Sequence, residues 1–190
     1  MHTHKASLTP ILLLMRIAVF CSSSPTIDNK YVELAYELGK AVGEKKWELV
    51  TGGGHISMMG AIARGARDMS GKTIGVIPQA LVDIEFADHD SDELHIVETM
   101  GERKAMITDI SDAFITMPGG AGTLEEFFEI WVGRYLKFHN KPVIILDPYG
   151  LYSPLHELIV HLESENFIKP GMRDLVTWCT TVEQAITACA

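Results

Sequence analysis

The stretch DAFITMPGGAGTLEEFFEIW, residues 112–131, decides the fold. Ala113 to Met117 is a short apolar run with strand character, and Leu124, Phe127, Phe128, Trp131 and Tyr135 recur downstream at helical spacing. Between them stand Gly119, Gly120 and Gly122, which reach backbone angles closed to other residues and let amide N–H groups approach an oxyanion. The helix start adds unpaired N–H groups and the positive end of its dipole, so a phosphate is the natural guest, with Thr123 able to add a hydroxyl. A tight turn with glycines present only for packing remains the plain alternative. Glu125 and Glu126 fall off the centre of the apolar stripe, near the mouth of the expected crevice. They are either dipole partners worth about 0.3–1 kcal/mol each or, for one of them, a catalytic group.

Outward from this unit, apolar strand-like runs alternate with helical patterns, the signature of βαβ units around a parallel sheet. MRIAVFCSS (15–23), ELVTGGG (48–54), KTIGVIP (72–78), PVIILD (142–147) and LVTWC (175–179) read as the other strands and their turns. DNKYVELAYELGKAVGEKKW, SMMGAIARGARDM, SPLHELIVHLESENF and TVEQAITACA read as helices. Residues 79–111 form a polar excursion that ends in a helix from about Glu102. The expectation is a single-domain α/β fold, Rossmann-like and three-layered, with a parallel central sheet flanked by helices. In such sheets ligands bind outside the carboxyl ends of the strands, where strand order reverses. Three unusual loops fall at carboxyl ends and are expected to converge there: CSSS (21–24), TGGG (51–54) and PGGAGT (118–123).

The second loop, with Gly53 and Gly54, offers N–H donors or only makes room for a neighbouring ligand. Ser22, with Ser23 and Ser24, bonds a phosphate or caps a helix. ETMGERKAM (98–106) sets Arg103 and Lys104 near a helix start, either as a solvated basic pair or as an oxyanion grip, for which an Arg fork is suited. GARDMSGKT (65–73) only imitates a Walker A loop, since five residues separate Gly65 from Gly71 where four are needed, and a strand follows it. No G-x-G-x-x-G with a downstream acid is present, so NAD is not expected.

At 190 residues, 47% hydrophobic and with no composition shift, the chain has one sizeable core. A net charge of −9 without clustered Lys and Arg argues against a nucleic-acid footprint. Three widely spaced cysteines without CxxC suggest neither disulfide framework nor zinc site, and a reducing, cytoplasmic setting is expected. The eight histidines are scattered, and no metal is expected. In SLTPILLLMRIAVFCSSS (7–24), Arg16 breaks the apolar run, the segment is too short to span a bilayer, and Phe20 before Cys21 is too bulky for a cleavage site. It reads as a first strand. Residues 1–14 are expected to be a flexible extension and 15–190 the single Rossmann-like domain.

GGGHISMMG, GVIP, ETMGERKAM, SDAFITMPGGAGTLEE and KPVIILD, in that order, resemble the LONELY GUY family of cytokinin riboside 5'-monophosphate phosphoribohydrolases. The likeness runs from about Arg16 to Pro154. It implies a Rossmann-like fold, a homodimer with active sites near the subunit interface, and hydrolysis of a nucleoside 5'-monophosphate to a free base and ribose 5-phosphate; no cofactor and no membrane or nucleic-acid partner are expected. Matched position by position, the family's functional arginine is Arg103, its neighbouring lysine Lys104, the motif glutamate Glu126, and an upstream acid Glu85. The substrate-contacting segment is Gly120, Ala121, Gly122, Thr123, Leu124, Glu125 and Glu126, with Gly119 before it. Ala121 stands where plant members often carry an aromatic residue, Gly101 where His is frequent, and Ser57 where many have Gly. Many relatives bear a lysine decarboxylase label, but no lysine here is placed for a pyridoxal phosphate Schiff base with a supporting acid. An AMP nucleosidase, or a non-catalytic nucleotide or cofactor carrier on the same fold, are the alternatives.

Overall fold

Short apolar runs bounded by glycine, proline or polar residues become the strands, and the amphipathic stretches between them become the covering helices. The computed structural model describes residues 14–82, 84 and 86–190. The expected N-terminal extension, apart from Leu14, and the candidate Glu85 lie outside the described residues. The strands are β1 (Arg16–Phe20), β2 (Glu48–Thr51), β3 (Thr73–Pro78), β4 (Glu93–Val97), β5 (Ala113–Thr116), β6 (Val143–Leu146) and β7 (Val176–Cys179). The helices are α1 (Asn29–Glu44), α2 (Ser57–Asp68), α3 (Met100–Ile110), α4 (Ala121–Tyr135), α5 (Ser153–Ser164) and α6 (Val182–Ala188).

The seven strands form one parallel sheet in the order β4-β3-β2-β1-β5-β6-β7. Strand order reverses between β1 and β5, so the crevice of an open α/β sheet opens there. Pairing from Ile17 with Ala113 to Phe20 with Thr116 brings the carboxyl ends of these two strands side by side. The loops beyond stay tied: the Met117 amide donates to the Phe20 carbonyl at 2.8 Å and the Ser22 amide to the Pro118 carbonyl at 3.3 Å. One core layer packs α1, α2 and α6 on the sheet through residues such as Leu38, Ile62 and Ile186. The other packs α3, α4 and α5 through Ile107, Phe127, Trp131 and Ile159. Among the described residues no helix is long and apolar enough to cross a membrane.

Three features depart from the sequence reading. The polar excursion contains β4, an edge strand whose Glu93 and His95 alternate with apolar residues, as suits a strand paired on one side only. α3 begins at Met100, two residues early, because the Thr99 side chain accepts from the Glu102 amide and the Glu102 carboxylate accepts from the Glu98 amide. On α4 the buried stripe is Thr123, Phe127, Ile130 and Trp131, while Phe128 faces outward.

Candidate active site

The cleft outside β1 and β5 has a volume of about 360 Å3, within the range of small-molecule sites, roughly 300–1,000 Å3. Its polar wall is Cys21 to Ser24, Gly120, Gly122, Thr123, Glu125, Glu126 and Arg103, and its apolar wall is Met59, Leu81 and Met100. A wider groove of about 490 Å3 lies beyond the ends of β6 and β7. Its buried Asp147 is already occupied, accepting from the amides of Leu151 at 3.1 Å and Tyr152 at 2.7 Å.

The capped first turn of α3 directs Arg103 inward, where it is 6% exposed. Its Nε donates to the Val76 carbonyl and its Nη2 to the Gly52 carbonyl, both at 3.2 Å, so the guanidinium bridges β3 and the loop after β2. A Cβ on Gly52 would stand 1.8 Å from Nη2, which explains the first glycine of the TGGG loop: it makes room for this arginine. Nη1 is 4.0 Å from Glu126 Oε1, and the Glu126 side chain is itself only 13% exposed. Two charges from separate helices thus meet at the floor of the cleft. Burial, and then the negative charge of Glu126, hold the Cys21 thiol well above its ordinary pKa, so it lines the site protonated.

The glycines of the PGGAGT turn have different reasons. A Cβ on Gly119 would stand 2.2 Å from Thr123 Oγ1, so this glycine is required by the protein's own packing. A Cβ on Gly120 or Gly122 would meet no protein atom within 4 Å. Both line the cleft, and α4 starts at Gly120 without a side-chain cap. The first amides of a helix have no intrahelical acceptor, so this terminus faces the cleft as a donor cluster.

Other candidates are brought elsewhere. Gly53 and Gly54 do not line the cleft: the Gly53 carbonyl accepts from the Asp88 amide at 2.8 Å and Gly54 pairs with Ala87, which fastens the loop after β3. Lys104 points along α4, paired with Glu125 and, at 2.6 Å, with Glu129. Those two hydrogen bonds, the one donated to Glu125 first, hold its pKa above the ordinary lysine value. This is the opposite of what an amine poised for a Schiff base needs. Leu124 packs against the core beside α4, and Ala121 is exposed at the helix start. Ser57 lies at φ +56°, a left-handed angle that glycine takes without strain. Gly101 is exposed on the first turn of α3. Two residues escaped the sequence reading: Tyr152, whose hydroxyl reaches the PGGAGT turn, and Asp88, which binds Arg67 at 2.8 Å under the loop. Among the described residues no group of three or more His, Cys, Asp or Glu is placed to hold a metal ion.

Residues 59–189 match a protein family described as "Possible lysine decarboxylase". A cytokinin riboside 5'-monophosphate phosphoribohydrolase from Mycobacterium tuberculosis is 45% identical over 174 residues, 92% of this chain and 92% of that protein. The chain belongs to this phosphoribohydrolase family. The member from Rhodococcoides fascians is 42% identical over 173 residues, 90% of this chain and 87% of its own length. The molybdenum cofactor carrier protein from Chlamydomonas reinhardtii superposes with a TM-score of 0.70 over 92% of this chain and 94% of its own. At 24% identity that likeness shows a shared fold alone.

Proposed function

We propose that the protein hydrolyses the N-glycosidic bond of cytokinin nucleoside 5'-monophosphates, releasing the free base and ribose 5-phosphate. The observation that carries the reading is the juxtaposition, at the switch point, of a bare, uncapped helix terminus with a half-buried carboxylate 4.0 Å from a buried guanidinium. The amides of Gly120, Ala121 and Gly122 and the Thr123 hydroxyl hold the 5'-phosphate, as a helix start favours an anion. Anchoring the phosphate places the anomeric carbon near Glu126. As the bond to the base breaks, its electron pair leaves with the base, and positive charge builds on the ribose as in glycoside hydrolysis. Glu126 stabilises that charge and orients the water whose oxygen joins the anomeric carbon; the base takes up a proton as it departs. Arg103 fixes the Glu126 carboxylate from below, and Met59, Leu81 and Met100 offer an apolar wall to the base and its N6 substituent. The upstream Glu85 is assigned an assisting role.

The same reading includes a homodimer. α4 is apolar on two sides, and its outer side leaves Phe128, Val132, Leu136 and the following Phe138 exposed, the last at 81%. A second copy seated there covers a face that continues into the cleft through Glu125, which borders both. A monomeric sedimentation coefficient at micromolar protein would remove this part. Three free cysteines agree with a reducing, cytoplasmic setting.

Glu126→Gln tests the chemistry. Base release is expected to fall about 10^3-fold, the scale of a lost acid–base group, with nucleotide binding changed only a few-fold. Near-normal turnover would overturn the assignment. Release of adenine from AMP compared with release of isopentenyladenine from its ribotide separates the cytokinin enzyme from an AMP nucleosidase. Tight ligand retention without base release would favour a carrier.

A further inference from the structure

The turn that presents the glycines is held from behind by a residue that does not line the cleft. Tyr152, at the start of α5, is buried, and its hydroxyl lies 3.0 Å from the Met117 carbonyl oxygen and 3.1 Å from that of Gly119. The carbonyl between them, that of Pro118, accepts from the Ser22 amide at 3.3 Å. Three successive carbonyls of the turn are therefore engaged, two of them sharing the single proton of one phenol. In a trans peptide the C=O and N–H point in opposite directions, and no peptide bond among the described residues is cis. A Gly119 carbonyl turned to Tyr152 leaves the Gly120 N–H turned away from the phenol, and Gly120 itself borders the cleft. Asp147 fixes the clamp in turn, its Oδ2 accepting from the Tyr152 amide at 2.7 Å. Burial holds the phenol well above its ordinary pKa, so it remains a donor at neutral pH.

We propose that Tyr152 is the positioning residue of the phosphate turn: by clamping the Gly119 carbonyl, its hydroxyl aims the Gly120 amide at the 5'-phosphate. The identity of the ligand rests on the hydrolase reading; the clamp itself does not. Asp147 is the support behind it, so that the end of β6 sets the donor geometry of a loop beyond β5.

Tyr152→Phe keeps the ring and removes only the hydroxyl. The KM for a nucleoside 5'-monophosphate and the dissociation constant of ribose 5-phosphate are expected to rise about tenfold, as for one lost hydrogen bond. The kcat should stay within about threefold and inhibition by free adenine should be unaltered, in keeping with a loss confined to binding of the phosphate. A role in stability alone would lower Tm and leave ribose 5-phosphate binding intact, and that result would overturn the proposal. Ribose 5-phosphate binding is read by calorimetry and needs no turnover, so a wild-type protein that binds it without releasing base would refute the hydrolase reading while the clamp is still tested. Should Tyr152→Phe fail to fold, the wild-type protein is titrated with inorganic phosphate and its amide spectrum recorded. A downfield shift of the Gly120 proton supports the clamp, and an unmoved Gly120 proton overturns it.

Discussion

Gly122→Ala separates what the fold needs from what the ligand needs. Gly122 is the second residue of α4, is exposed, and has no protein atom within 4 Å of where its Cβ would stand. Replacing glycine by alanine in a helix interior gains about 1 kcal/mol; in a first turn, where ends fray, about half of that is a fair figure. For a domain of this size each kcal/mol moves Tm by about 2–4 °C, so the variant should melt about 1–2 °C higher. The new methyl projects into the space beside the first amides of α4. A phosphate held against the bare Cα would be pushed back, and losing one hydrogen bond to a charged group is worth about 1.5–3 kcal/mol. That corresponds to about a 10- to 150-fold rise in KM. Thermal melts and initial-rate kinetics on the same preparation read the two signs together. A Gly122→Ala protein that is more stable and has an unchanged KM would refute the reasoning, because the bare backbone would then serve no ligand.

Gly52→Ala should do the reverse at the other side of the cleft: its Cβ would stand 1.8 Å from Arg103 Nη2, so overpacking should lower stability by about 1–3 kcal/mol and displace the arginine. Urea unfolding and base-release assays check this, and wild-type behaviour in both would show that Arg103 is not held by this contact. Acid should weaken the fold through Asp88. Burial pushes this carboxyl up, but hydrogen bonds from Arg67 and His55 and the nearby Arg67 charge outweigh it and hold its pKa below the ordinary value. Its contribution is whole above the unfolded carboxylate pKa of about 4 and is lost as the pH falls through the folded value. Urea midpoints between pH 3 and 7 should therefore drop more for wild type than for Asp88→Asn, and identical slopes would dismiss the role.

The strands that flank the switch point were legible because continuous apolar runs ended abruptly, β1 in CSSS and β5 in PGG, and β5 with α4 could be read from residues 112–131 alone. β4 was not, since an edge strand tolerates the charges of Glu93 and His95 that a buried strand excludes. The early start of α3 had a signal in Thr99 and Glu102, a capping box spaced as expected. The outward turn of Phe128 had none, because α4 carries apolar residues on two sides and spacing cannot say which side meets the sheet. Arg103 and Glu126 came from a motif; that Gly52 exists to admit the arginine came only from the fold, 51 residues away in sequence. Tyr152 was equally invisible, its partners lying 33 and 35 residues upstream.

The position of Arg103 is itself an argument for chemistry over stability. A guanidinium 6% exposed loses most of its hydration, and a buried ion pair is often matched or bettered in stability by apolar residues of similar volume. A fold selecting only for packing at the ends of β2 and β3 would place a leucine there and allow a side chain at position 52. Here the chain gives up that side chain, satisfies the guanidinium with two carbonyls, and still leaves one nitrogen 4.0 Å from Glu126 at the cleft. In the proposed reaction the glycines at positions 52 and 122 serve opposite occupants, one the protein's own cation and the other the substrate's phosphate. A catalytic carboxylate working on a developing positive charge needs both: the cation to fix its orientation, and the anion's anchor to set the reacting carbon against it.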